Sequence, residues 1–204
     1  MPLITPTVMR RGLLAAGGTL LAAVVARNSW HSPAPSSQAP DQGADVPAGP
    51  APRAIADLAA HPPTALPTLA FATANGSRLT LADYAGRGVV LNFWATWCTP
   101  CVSEMPALDA LARALAGATP AMTVLAVSLD RGGAGAVVPF YAAHGIRSLP
   151  VLLDPHSETM LALRLDGIPT TLVIDRNGRE VARIQGPVQW DAGAAVATLR
   201  RLAA

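Results

Sequence analysis

The sequence predicts an α/β fold, a central mixed β-sheet flanked by helices with an N-terminal hairpin extension. Three observations carry that expectation. Two short apolar runs, Val89 to Trp94 (VVLNFW) and Met122 to Leu129 (MTVLAVSL), have the length and composition of buried strands, and a helical stretch separates them. Two extended segments, Thr170 to Ile174 and Glu180 to Ile184, flank Asp175-Arg-Asn-Gly178, a tight-turn signal. A last helical pattern, Gln189 to Leu202, closes the chain. Strand, helix, strand, then hairpin and helix imply a sheet covered on both faces.

The elements follow in order. Leu69 to Phe71 and Arg78 to Leu81 bracket Asn75-Gly76 and read as a hairpin, the Asn-Gly pair supplying the turn. A short helix is expected over Arg53 to Ala60, ahead of His61-Pro62-Pro63. After the Val89 strand, a helix runs from Cys98 to about Leu115, and Pro106 should kink it by removing the bond to the Val102 carbonyl. Val137 to His144 reads as helix, Val151 to Leu153 as extended and Glu158 to Leu163 as helix.

The composition narrows the class of protein. The 204 residues are 51% hydrophobic and 14% charged, which excludes a disordered chain. All 15 basic residues are Arg, and the formal net charge is +2. Arg10 and Arg11 lie in a targeting-like segment; beyond it, 13 Arg match 13 acids. No basic cluster supports a nucleic-acid partner. The two cysteines, Cys98 and Cys101, exclude a multi-Cys zinc site and a second, structural disulfide.

Residues 1–26 read as an export address. Arg10-Arg11 precedes an apolar stretch from Gly12 to Ala26, and Val24-Val25-Ala26 offers a cleavage end. The run is short of the roughly 20 residues that span a bilayer. A cleaved signal and an uncleaved inner-membrane anchor both fit, as do general and twin-arginine export. Residues 27–62, rich in Pro, Ala, Gly and Ser, read as a flexible linker, and residues 63–204 as the folded domain.

The chemistry concentrates in Trp97-Cys98-Thr99-Pro100-Cys101, where a buried strand becomes a helix. Two intervening residues in a first helical turn bring two sulfurs within bonding reach. Cys98 at the helix N-terminus has unpaired N–H groups and the helix dipole to favour its thiolate. Pro100 is tolerated there, because first-turn N–H groups lack helical partners. The functional reading is attack by Cys98 on a target disulfide and resolution by Cys101; half of a metal site and a structural disulfide are the alternatives. Glu104 shares a helical stripe with Cys101, Leu108, Leu111 and Leu115. A carboxyl group in an apolar stripe resists charging and could relay a proton to or from Cys101. The alternative is a first-turn acid that serves the helix dipole. Ile168-Pro169-Thr170-Thr171 enters a strand through an X-Pro bond, either cis or an ordinary trans turn.

VLNFWATWCTPC followed by SEMP, then GIPTTLVIDRNG, resembles the thioredoxin-like proteins of the TlpA/ResA group, with Gly186-Pro-Val-Gln-Trp190 especially TlpA-like. The likeness runs from about Leu66 to the C-terminus. It implies a thioredoxin-like domain acting as an extracytoplasmic thiol–disulfide oxidoreductase with no cofactor beyond the Cys98–Cys101 pair. It implies Cys98 as nucleophile, Cys101 as resolving thiol, Glu104 as the active-site acid and Pro169 as a cis-proline facing the disulfide. Trp97, Thr99, Pro100, Ile168 and Thr170 would contact the substrate, Ile168 by pairing with an extended client segment. Asn92 stands where cytoplasmic thioredoxins carry a buried Asp. The implied location is the periplasm, soluble or tethered to the inner membrane. The implied partners are proteins with disulfides, either an apocytochrome or a copper chaperone or oxidase subunit, and a membrane electron donor of the thiol-transporter type. A monomer is expected.

Thr99-Pro100 supplies no His to stabilise the thiolate. The expectation is therefore a reductant, with a potential nearer the roughly −270 mV of thioredoxin than the roughly −120 mV of DsbA. A Cu(I)-binding assembly factor that uses the two thiolates is the alternative, and a peroxidase of the same broad fold a third reading. His31, His61, His144 and His156 are not expected to bind metal. Trp94 is expected in the core and Trp97 over the dithiol. Asp130 to Gly135 is expected to be a mobile loop able to touch partners.

Overall fold

The structure is a computed structural model that describes residues 51–119, 121–190 and 192–203. The expected export segment and most of the expected linker lie outside the described residues.

The chain runs β1 (Arg53–Ala54), β2 (Ala59–Ala65), β3 (Ala70–Thr73), β4 (Arg78–Thr80), β5 (Gly88–Trp94), α1 (Thr99–Leu115), β6 (Met122–Ser128), α2 (Ala134–His144), β7 (Leu152–Leu153), α3 (Glu158–Ala162), β8 (Thr170–Ile174), β9 (Arg179–Gln185), β10 (Val188–Gln189) and α4 (Ala192–Leu202). Eight strands form one mixed sheet in the order β2-β9-β8-β5-β6-β7-β3-β4, and β1 pairs with β10 in a small parallel ribbon. β5 lies parallel to β6 and antiparallel to β8. Both expected hairpins form. Each turns through a glycine with positive φ, Gly76 at 82° and Gly178 at 75°, a conformation that strongly favours Gly.

Strand alternation sorts β5 between two cores. Val89, Leu91 and Phe93 pack with Leu125, Leu172, Leu69 and Phe71 on one face. Val90 and Trp94 pack with Met105, Leu108, Leu111 and Leu115 of α1 on the other, where α4 adds Ala195 and Leu199. Full burial of each such Leu is worth about 1.5–3 kcal/mol. Asn92 has the parity of Val90 and Trp94, so this polar residue enters the α1 side of the core. Trp94 is fully buried there and stacks on Tyr141, with ring centroids 5.9 Å apart.

Two local expectations need correction. Arg53 to Ala60 is not a helix: it forms β1, a 3-10 turn at Ile55–Asp57 and the start of β2. Those residues also fall within the stretch expected to be linker. Partners distant in sequence order them: β2 pairs with β9, and His61 Nε2 lies 3.2 Å from Glu180 Oε1. The closing helix starts at Ala192, because Gln189 is drawn into β10 by pairing with Ala54. Helix α1 forms over the expected range, Thr99 to Leu115, with Pro106 inside it.

Candidate active site

Cys98 caps the N-terminus of α1 and is joined to Cys101 by a disulfide, with their Cα atoms 5.2 Å apart. The backbone N–H of Cys101 donates to Cys98 Sγ at 3.3 Å. A thiolate at Cys98 would receive the same donor and the positive end of α1. The two sulfurs are unequal in access: Cys98 is 7% exposed and Cys101 0%. An incoming disulfide can reach only the first.

The Ile168–Pro169 peptide bond is cis, and the Ile168 carbonyl oxygen lies 3.9 Å from Cys98 Sγ. Pro169 is buried and Ile168 half-buried beside the disulfide. Thr99 is exposed and Pro100 half-buried on the first turn of α1. Thr170 is buried, its hydroxyl donating to the Gly167 carbonyl at 2.6 Å, which braces the loop from beneath. Trp97 is 68% exposed and lies open to solvent beside the pair. It lines a cleft of about 830 Å³ with Leu129, Arg131, Met160 and Ile168. The Asp130 loop is anchored at its root. Asp130 is buried and accepts from the Thr96 backbone N–H at 2.9 Å and from Ser128 Oγ at 2.8 Å.

Glu104 lies one helical turn beyond Cys101 and is 4% exposed, so it is no surface acid serving the helix dipole. Its Oε1 accepts from Asn92 Nδ2 at 3.0 Å. Its Oε2 accepts from the Val188 backbone N–H at 3.0 Å and from Trp190 Nε1 at 3.3 Å. Burial pushes the carboxyl up to about 7, against the three donors, which pull it down. A group balanced near neutrality can both take and return a proton.

Sequence reasoning missed the shell around this acid. The segment from Gly186 to Trp190 serves two parts of the site at once. Gly186 N–H donates to the Pro169 carbonyl at 2.8 Å, and Val188 and Trp190 hold Glu104. The resemblance singles out Asn92 and the Gly186 to Trp190 segment, but not as partners of Glu104; the alternation of β5 was the available signal for the direction of Asn92. Among the described residues, no three His, Cys, Asp or Glu side chains cluster as a metal site would require.

A disulfide on the first turn of a helix, faced by a cis-proline across a mixed sheet, defines a dithiol–disulfide protein of thioredoxin-like fold. The family model described as Redoxin matches residues 60–200, and the chain belongs to that family. It is 32% identical over 120 residues to the thiol-disulfide oxidoreductase ResA of Bacillus subtilis, covering 59% of this chain and 65% of that protein. The match thus spans just under two thirds of that relative. Among solved structures, it is similar to a thiol:disulfide interchange protein of the thioredoxin family from Chlorobium tepidum, with a TM-score of 0.56 and 28% identity over 71% of this chain and 99% of that one. It is also similar to the exposed lipoprotein thioredoxin of Streptococcus pneumoniae, with a TM-score of 0.55 and 29% identity over 67% of this chain and 100% of that one. No helix among the described residues is long and apolar enough to cross a membrane.

Proposed function

We propose that the chain is an extracytoplasmic thiol–disulfide oxidoreductase that reduces disulfides in client proteins through Cys98 and Cys101. The observation that carries this reading is the asymmetric pair at the start of α1, with Cys98 reachable and Cys101 buried behind it. In the reduced protein, the Cys98 thiolate attacks a client disulfide. A mixed disulfide forms and one client thiolate leaves. Cys101 then passes its proton to the Glu104 carboxylate, and its thiolate attacks Cys98 Sγ. The Cys98–Cys101 disulfide forms, the second client thiolate leaves and takes up a proton, and two electrons have passed to the client. A membrane donor of the thiol-transporter type would restore the dithiol.

The client class follows from the resemblance to the TlpA/ResA group. Apocytochrome c and the copper-site cysteines of cytochrome oxidase assembly are the clients that it favours, in the periplasm, with the N-terminal segment as signal or tether. The Cys101→Ala variant tests both levels. It should accumulate mixed disulfides through Cys98, and Cys98→Ala should accumulate none. Absence of trapped clients would overturn the reductase reading. A client set without any haem or copper assembly protein would overturn the cytochrome assignment alone. An equilibrium potential above about −150 mV would overturn the reducing direction.

A further inference from the structure

Among the described residues, Asn92 is saturated as a donor and unpartnered as an acceptor. Its Nδ2 donates to Glu104 Oε1 and to Thr171 Oγ1, each at 3.0 Å. Its Oδ1 is buried and has no hydrogen-bond partner among the described residues. Buried polar atoms are nearly always partnered, so such an exception calls for a reason.

The surroundings of Glu104 supply one. Among the described residues, the three groups that hydrogen-bond to its oxygens are all donors: Asn92 Nδ2, the Val188 N–H and the Trp190 indole N–H. That set suits a carboxylate. A neutral carboxyl carries an O–H and needs an acceptor. The Val188 and Trp190 groups can only donate. Asn92 alone can reverse its role, because a half-turn of its amide puts Oδ1 where Nδ2 stood. Oδ1 would then accept from the Glu104 O–H, and the Thr171 hydroxyl, free to rotate, would donate to it too. One end of the amide stays unpartnered in either orientation, so the proton on Glu104 decides between them.

We propose that Asn92 is a positioning residue whose amide donates to the Glu104 carboxylate and, turned by half a revolution, accepts from the Glu104 carboxylic acid. The acid next to Cys101 thereby keeps a partner on β5 in both proton states. The consequence for catalysis rests on the exchange reading above; the amide switch itself does not.

Burial that lifts Glu104 to about 7 places the switch near neutrality. The other groups around Glu104 leave it that role. Cys101 on α1 titrates only when reduced. Arg53, opposite Val188 on β1, donates to the Gln185 carbonyl. On α4, which packs against α1, Arg200 and Arg201 are exposed. Asp57, on the 3-10 turn beneath α4, accepts from the Ala54 N–H. Farther along α1, Asp109 is held by Arg113 and by the N–H groups of Arg147 and Ser148.

The test is a nuclear magnetic resonance titration of the isotope-labelled full chain in its disulfide form, from roughly pH 5 to 9, around the expected midpoint. The Glu104 carboxyl carbon and the Asn92 side-chain amide are followed together. Above the midpoint, the Asn92 Nδ2 protons should show cross-relaxation to Thr171 and to the Glu104 methylenes. Below it, these signals should weaken, with the same midpoint as the carboxyl carbon. In Glu104→Gln the Asn92 amide should not respond to pH. Retention of the Thr171 signal across the Glu104 midpoint, or a response that survives Glu104→Gln, would overturn the proposal.

A second arm uses Asn92→Ala. The carboxylate loses a stronger bond than the neutral acid does, so the Glu104 midpoint should rise by about half to one pH unit. The pH profile for resolution of the mixed disulfide should move with it, and in a Glu104→Gln background Asn92→Ala should move nothing further. An unmoved Glu104 midpoint would again sink the proposal. Loss of exchange at every pH in the unmodified protein would instead remove the oxidoreductase reading, and would leave the amide switch to stand or fall on the titration.

Discussion

Asn92 on β5 donates to Glu104 on α1 at 3.0 Å, and the same amide nitrogen donates to Thr171 on β8 at 3.0 Å. One side chain therefore links the buried acid to the strand that begins at the cis-proline loop. The stability of the fold and the proton chemistry of the site share this contact.

The proton on Glu104 should make the protein less stable as the pH rises. The folded-state value of about 7 lies above the ordinary 4.5. The contribution is thus fully present below pH 4.5 and is lost as the pH rises to about 7, with a total on the order of 3 kcal/mol. Chemical denaturation across that window should show the decline, and Glu104→Gln should flatten it. A profile that stays sloped in the variant would assign the dependence to another group.

Asp109→Ala should cost about 2–4 kcal/mol. The carboxylate is 2% exposed and accepts from the backbone N–H of Arg147 at 2.9 Å, from that of Ser148 and from the Arg113 guanidinium. Burial raises its pKa, but those donors outweigh burial and hold it below the usual carboxylate range. Its stabilisation is present above pH 3.8 and is lost as the pH falls through the lower folded-state value. Urea unfolding of the variant near neutral pH checks the size of the loss.

Trp97→Ala should change stability by no more than about 0.5 kcal/mol, because the side chain is 68% exposed. Its expected effect is on clients: exchange with a folded disulfide protein should slow on the order of fivefold, about 1 kcal/mol of lost contact. Exchange with a small symmetrical disulfide should change little. Equal slowing of both would place Trp97 in the chemistry and not in docking.

Glu180→Ala should loosen the edge strand β2. Glu180 is buried, accepts from Arg183 through Nε and Nη2 at 2.7 Å each, and meets His61 of β2. Arg183 is one third exposed and can regain water, so the loss should be about 1–3 kcal/mol and not the larger cost of a fully buried ion. Hydrogen exchange should quicken first at the β2–β9 pairing, Ala60 with Ala182 and Thr64 with Glu180.

Much of the site is local and was legible as such. A CxxC at a strand-to-helix junction places both sulfurs in one helical turn, whatever packs around them. The apolar runs of β5 and β6 and the glycine turns at Gly76 and Gly178 are local too, because composition and backbone freedom decide them. The stripe Cys101, Glu104, Leu108 and Leu111 already placed the acid on the buried face of α1.

What holds that acid was settled only by the tertiary structure. Asn92, Val188 and Trp190 reach Glu104 from 12, 84 and 86 residues away in sequence. Arg53 to Ala65 likewise takes its form from pairing with β9 and β10 and not from its own helical propensity. Helical periodicity and turn chemistry act over a few neighbouring residues, so a sequence shows them directly. Hydrogen bonds between distant segments exist only once the sheet has fixed its register, and that register determined the environment of Glu104.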